Sequence, residues 1–170
     1  MEAGTDREAS PRPVFVLAGT AIVLYAADQL TKAWVVANVA RGARHDVIGD
    51  LAQLWHVRND GAAFSILPGA TWLFVPVTLV AIGMVVYFHR AFRDRTPWIH
   101  LILGAILAGS LGNLTDRLRL GYVIDFVSLG IGDARFPTFN VADSAVVLGI
   151  GALVAYLTFF DQPRSAEAAR

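Results

Sequence analysis

Four long apolar runs, separated by polar segments of unequal length, dominate the chain. Between Asp60 and Arg90 no residue carries a fixed charge, and 68–88 is apolar almost throughout. From Thr96 to Thr115 the one ionisable side chain is His100, and from Ser144 to Phe160 no side chain is charged at neutral pH. The run from Val14 to Ala27 is shorter, but continues through Asp28, Gln29 and Lys32 to Val36. Crossing about 30 Å of hydrocarbon takes roughly 20 mostly apolar helical residues. The pattern therefore predicts four membrane-spanning helices, at about 14–36, 68–88, 97–116 and 140–160. A cleaved signal peptide is the weaker reading of the first run, because no clear small-x-small site follows it and later spans do.

The segments between the runs complete the plan. Residues 1–12 and 161–170 are polar and read as tails flanking a single membrane-embedded unit, 13–160. The loops at about 37–67 and 117–139 are long and share one side. The loop at about 89–96 is short and holds Arg90, Arg93 and Arg95. Three arginines packed beside two spans favour a cytoplasmic short loop, with both tails on that side. Val47, Ile48, Leu51 and Leu54–Val57 in the first long loop, and Val123, Ile124, Phe126, Val127 and Phe136 in the second, are apolar and β-prone. They predict a small sheet on the outer membrane surface. Asn59-Asp60-Gly61 reads as a hairpin turn.

Composition narrows the class. Of 170 residues, 55% are hydrophobic and 16% charged, against about 25% charged in an average soluble domain. Fourteen cations balance fourteen anions, so the basic excess of a nucleic-acid binder is missing. There is no cysteine, which removes disulfides, thiolate metal sites and a cysteine nucleophile. His45, His56, His89 and His100 lack metal-ligand spacing, and neither a P-loop nor a Gly-x-Ser-x-Gly elbow occurs.

Charge is expensive near the membrane, about 2.5–3.5 kcal/mol at mid-bilayer on insertion scales, so each polar residue there calls for a reason. Asp28 and Lys32 stand at i and i+4 and can pair. Asn113 and Asp116 share a helix face after the small residues 108, 109, 110 and 112, which admit a close neighbour; an Asp116–Arg117 pair at a helix crossing is the structural alternative. Asp125 is a lone acid in Val-Ile-Asp-Phe-Val. Asn140 with Asp143 three residues on reads as a capping box, which also holds the acid rigidly. Asp125 and Asp143 stand out, because both fall near the outer surface with a loop between them that can fold back. Two close carboxylates share a proton, and one can then activate water while the other protonates a carbonyl.

These residues resemble the lipoprotein signal peptidase (signal peptidase II) family, the bacterial membrane aspartyl peptidases. The resemblance spans about 14–160 and rests on five segments in order: Asp28-Gln29-Leu30-Thr31-Lys32, Asn59 to Ser65, Gly109 to Arg117, Val123 to Phe126, and Phe139 to Ser144. Ala108 departs from the family, which often has glycine there. The resemblance implies an all-α membrane protein of four transmembrane helices with a small extracytoplasmic β-cradle and a short outer helix. It implies a catalytic dyad of Asp125 and Asp143. Asn59, Gly61, Asn113, Arg117 and Asn140 would line the site or hold substrate, and Asp28, Lys32 and Asp116 would be structural. The substrate would be a prolipoprotein carrying a diacylglyceryl-cysteine, cut just before that cysteine by a monomer in the inner membrane, without metal, cofactor or nucleic acid.

Two other classes stay open on the residues alone. A small transporter or proton relay would use Asp28, Asp116, Asp125 and Asp143, but distributed through the membrane depth. A non-catalytic scaffold would use the same polar residues for packing.

Overall fold

A computed structural model describes residues 13–61 and 71–160. In chain order it consists of α1 (Pro13–Asn38), β1 (Arg44–Ile48), β2 (Ala52–Asn59), α2 (Thr71–Ala91), α3 (Pro97–Leu120), β3 (Val123–Ile131), β4 (Ala134–Arg135) and α4 (Val141–Phe159). All four helices are long and apolar enough to cross a membrane. At 24 residues and about 1.5 Å per residue, α3 is roughly 36 Å long.

The expected spans correspond to these helices, with shifted ends. Expected to stop at the charged residues near 116, α3 continues one turn to Leu120. It ends where Gly121 takes a left-handed conformation (φ 80°) and returns its N–H to the Arg117 carbonyl. Glycine adopts that conformation without the Cβ penalty. The helix read at 68–88 runs on through His89 and Arg90 to Ala91. The described residues hold no helix beyond these four; 62–70, where Ala62 to Ser65 of the resemblance fall, and both tails lie outside them.

In place of two loops with β character there is one antiparallel sheet, in the order β1-β2-β3-β4. It caps the end of the bundle where α1 and α3 finish and α4 begins. The other end carries the α2–α3 turn, where Thr96 Oγ1 meets Tyr156 Oη of α4 at 3.3 Å. Asn59-Asp60-Gly61 does not close a hairpin: β2 pairs with β1 and β3. Asn59 instead caps its own strand end, its Oδ1 accepting the Gly61 N–H at 3.1 Å. An Asx side chain makes that bond as readily as a hairpin would use the same residues.

Burial identifies α3 as the central helix. More than half of its apolar window is buried, against a sixth or less in the other three. Its small residues explain this. A Cβ on Gly104 would stand 2.6 Å from the Leu17 carbonyl oxygen of α1. One on Gly112 would stand 2.5 Å from Asp28 Oδ2 of α1, and one on Gly109 would strike the Ala142 carbonyl and Val146 of α4. In lipid, where apolar side chains gain little by meeting each other, such backbone proximity supplies much of the association.

Thermal unfolding in detergent tests this packing. Gly109→Ala should destabilise the fold by about 3 kcal/mol, the upper end for overpacking, because backbone must move. Gly83→Ala in α2, with open space around the new methyl, should be neutral or stabilising by about 0.5–1 kcal/mol. Equal effects at the two positions would contradict the close α3–α4 crossing.

Candidate active site

The start of α4 is the first fixed point. Asn140 is extended (φ −131°), and its Oδ1 accepts the Asp143 N–H at 2.9 Å. Asp143 Oδ2 accepts the Asn140 N–H at 3.1 Å in return. The capping box is therefore present, and it aims the Asp143 carboxylate by two bonds within one helical turn. A third N-terminal donor, the Ala142 N–H, goes to Asp28 Oδ1 on α1 at 2.9 Å.

Asp28 belongs to a buried ion cluster. Lys32 Nζ lies 2.9 Å from Asp28 Oδ2, 2.9 Å from Asp116 Oδ2 and 3.1 Å from Asn113 Oδ1. An ammonium has three N–H donors, and all three are used. Asp28, Lys32 and Asp116 are at most 4% exposed. Asp116 pairs with Lys32 rather than with Arg117, and its Oδ2 also accepts the Ile124 N–H at 3.2 Å. That bond ties the end of α3 to the first residues of β3, next to Asp125.

Three asparagine amides connect this cluster to the two acids. Asn113 accepts from Lys32 and from Asn140 Nδ2 (3.1 Å), then donates from Nδ2 to Asp143 Oδ1 at 2.7 Å. Asn140 Nδ2 donates to Asp125 Oδ1 at 2.8 Å and to the Ile124 carbonyl at 3.2 Å. Asn59 Nδ2 donates to Asp125 Oδ2 at 2.9 Å, its oxygen being held by Gly61. Each carboxylate thus receives two N–H donors, and Asn140 touches both, Asp125 by its amide and Asp143 by its backbone. Hydrogen bonds to charged acceptors are the strong ones, so both acids are rigidly oriented.

Asp125 is 1% exposed. Burial, and then the neighbouring Asp143 charge, raise its carboxyl from 3.8 to about 7; the bonds from Asn59 and Asn140 and the Lys32 charge oppose that rise without cancelling it. A carboxyl poised there holds a proton near neutral pH.

Arg117 borders the same region. Its Nη1 reaches the Asn113 carbonyl at 3.4 Å, its guanidinium lies 5.5 Å from the Phe74 ring, and its buried Nε has no partner among the described residues. It lines a cavity of about 220 Å³ between α2, α3 and α4 with Asn113 and Asp143. A second cavity of about 450 Å³, mostly apolar, meets Asp143 from the β4–α4 side.

Asp28, Lys32, Asn59, Gly61, Asn113, Asp116, Arg117, Asp125, Asn140 and Asp143 therefore fall in one connected region at the sheet end of the bundle. Comparison with known proteins decides its class. The sequence model described as Signal peptidase (SPase) II matches residues 20–159. The chain belongs to the signal peptidase II family. It is 42% identical over 137 residues to the lipoprotein signal peptidase of Latilactobacillus sakei subsp. sakei (strain 23K), covering 81% of this chain and 88% of that one. It is 42% identical over 144 residues to that of Streptococcus pyogenes serotype M6, covering 85% and 92%. Two solved structures titled as a bacterial membrane enzyme are similar. One has TM-score 0.76 and 27% identity, covering 91% of this chain and 96% of that one. The other has TM-score 0.74 and 29% identity, covering 88% and 96%. A signal peptidase II is a membrane protease of lipoprotein processing, and the four apolar helices make this one a multi-pass inner-membrane protein.

Gln29 received no role from the sequence. Its Nε2 reaches Asp28 Oδ2 (3.1 Å), Asp116 Oδ1 (3.3 Å) and the Gly112 carbonyl (3.4 Å), adding a third donor to both Asp28 and Asp116. The available signal was a third polar side chain in the same helical turn as Asp28, inside an apolar run.

Lys32→Met leaves Asp28 and Asp116 buried without their cation, which should cost about 3–5 kcal/mol and lower the melting temperature sharply in detergent; an unchanged melting temperature would contradict the cluster. Asp125 predicts a pH dependence. Its folded pKa lies above the unfolded one, so the folded state holds this proton more tightly. The resulting stabilisation is complete below about pH 4 and lost as pH rises to about 7. The stability of the unaltered peptidase relative to Asp125→Asn should therefore fall through that window, by on the order of 1 kcal/mol per pH unit, and level off above it. A constant difference would show that Asp125 titrates normally.

Proposed function

We propose that this peptidase removes the signal peptide from diacylglyceryl-modified prolipoproteins by aspartyl chemistry, cutting just before the lipidated cysteine. The observation that carries the mechanism is that Asp125 and Asp143 both bond to Asn140, each aimed by two N–H donors, with one carboxyl poised to be protonated near neutral pH. One ionised carboxylate takes a proton from water, and the water oxygen attacks the scissile carbonyl carbon. The other carboxyl gives its proton to the carbonyl oxygen, so the tetrahedral species forms uncharged. Collapse re-forms the carbonyl, breaks the C–N bond and passes a proton to the leaving nitrogen. The products are the signal peptide carboxylate and a lipoprotein beginning with diacylglyceryl-cysteine. Neither step needs a metal or cofactor.

Asn59, Gly61, Asn113 and Asn140 hold the dyad. Arg117 offers substrate a donor that has no partner among the described residues, and Asp28, Lys32 and Asp116 are structural. The sheet end faces outward and the arginine-bearing α2–α3 turn faces the cytoplasm with both termini. One chain supplies the whole site, so a monomer suffices in the lipid bilayer. A proton relay is not favoured, because the four acids converge at one end of the bundle instead of marking a path across it.

Purified Asp125→Asn and Asp143→Asn proteins, incubated with a diacylated precursor and read by mass spectrometry, should each lose at least about a thousandfold in turnover. Near-normal turnover in either would remove the dyad. The kcat/KM of the unaltered protein should fall above about pH 7 as the last shared proton leaves; a flat profile from pH 6 to 9 would contradict that assignment.

A further inference from the structure

The end of the bundle opposite the sheet carries a second polar cluster, apart from both acids. A cavity of about 650 Å³ opens there between the start of α1 and the end of α2. Among the described residues it is lined by Pro13, Val14, His89, Arg90 and Arg93. Asp94 follows Arg93 in the chain but is not part of that wall. Arg90 and Arg93 are exposed, and their guanidinium groups make no ion pair among the described residues. Three arginines at the sheet end are engaged by contrast: Arg44 lies over the Trp55 ring, Arg58 over Tyr122, and Arg135 bonds Asp50.

The cationic wall is held from beneath. His100 of α3 is fully buried, and its Nδ1 meets His89 Nδ1 at 3.1 Å, the two rings crossing edge to face. A buried polar ring is costly without a partner, and here the partner is a residue of the cavity wall. With Nδ1 so engaged, Nε2 is the ring nitrogen that His89 has left for a ligand. Leu17 of α1 and Phe88 of α2 pack on the buried core of Val85, Ile99, Leu103 and Ile106, which ties the three helix ends together. Apolar surface flanks the cavity. Phe15, Tyr87 and Trp98, at the same ends of α1, α2 and α3, are 67%, 67% and 69% exposed. Tyrosine and tryptophan gather at the headgroup level of a bilayer, so the cationic cavity stands at the depth of the lipid phosphates.

We propose that this cavity binds the phosphodiester headgroup of an anionic phospholipid in the leaflet that faces the α2–α3 turn. A guanidinium presents paired N–H donors that match phosphate oxygens, and Arg90 and Arg93 supply two of them with His89 beside them. Basic pockets between membrane-spanning helices take such headgroups. Soluble phosphate shares the headgroup chemistry, but only a lipid has chains to cover Phe15, Tyr87 and Trp98, and that exposed apolar surface favours the lipid. The site lies at the opposite end of the bundle from Asp125 and Asp143 and stands independently of the peptidase mechanism.

The direct experiment adds lipid back to the delipidated protein in non-ionic detergent and reads bound lipid by native mass spectrometry. Phosphatidylglycerol should bind about tenfold more tightly than phosphatidylcholine with the same chains, about 1.4 kcal/mol. The double variant Arg90→Gln, Arg93→Gln should bind the two lipids equally, and its lipid-free melting temperature should be unchanged, because neither side chain has an ion-pair partner to lose among the described residues. Arg41→Gln with Arg119→Gln removes the same charge from exposed positions at the sheet end and should keep the preference. Equal binding of both lipids by the unaltered protein would overturn the site. So would a preference that survives in the first double variant, or one that disappears in both, which would mark an effect of net charge alone. Millimolar inorganic phosphate should leave the lipid bound; displacement of the lipid would show a soluble anion to be the ligand and overturn the lipid assignment.

Discussion

The buried ammonium of Lys32 is the constraint on which the rest of the structure depends. An isolated charge at that depth is costly, and the chain compensates by surrounding its one lysine with three acceptors from two helices. Each acceptor has a second duty. Asp28 accepts from the first turn of α4, Asp116 from the start of β3, and Asn113 donates to Asp143. The cost of one charge is thus offset by a network that sets the position of every element bearing a candidate catalytic group. Removing a single partner strands the others, so the cluster behaves as a unit.

That network forms only because α3 is thin at the right points. Gly112 leaves room for the Asp28 carboxylate, and Gly109 for the α4 backbone at Ala142. Small residues therefore serve chemistry as well as packing: they bring the donors of one helix within hydrogen-bond distance of the acids of another. Burial of Asp125 in the same region, and then the neighbouring Asp143 charge, hold its proton near neutral pH. Packing, charge and proton affinity are here one arrangement seen at three scales.

Much of this was legible in the residues. Run length revealed four spans, because the hydrocarbon thickness sets one scale for all of them. The capping box and the Asp28–Lys32 pair were legible because both depend on spacing within one helix. What spacing could not reveal was partnership across elements. Asp116 was read against its neighbour Arg117 and bonds Lys32, 84 positions away in the chain. Asn59 was read as a hairpin turn, yet its amide serves Asp125. Gln29 was given no role, although it stands as a further polar side chain beside Asp28 in an apolar run, because its partner Asp116 lies on another helix. The ends of α2 and α3 were misplaced because charged residues were taken as stops, although a helix continues as long as its charges find partners or reach the interface.

If Lys32 and its partners position the dyad, rather than only holding the bundle together, stability and turnover should separate when the cluster is neutralised as a whole. The triple variant Asp28→Asn, Lys32→Met, Asp116→Asn removes all three charges together, a change that often leaves stability nearly intact. Its kcat on a diacylated precursor, measured beside its melting temperature, is the most direct measurement. A melting temperature close to that of the unaltered protein with kcat lowered about a hundredfold, the scale of a small misplacement of catalytic groups, is the predicted result. A stable triple variant with undiminished kcat would contradict it.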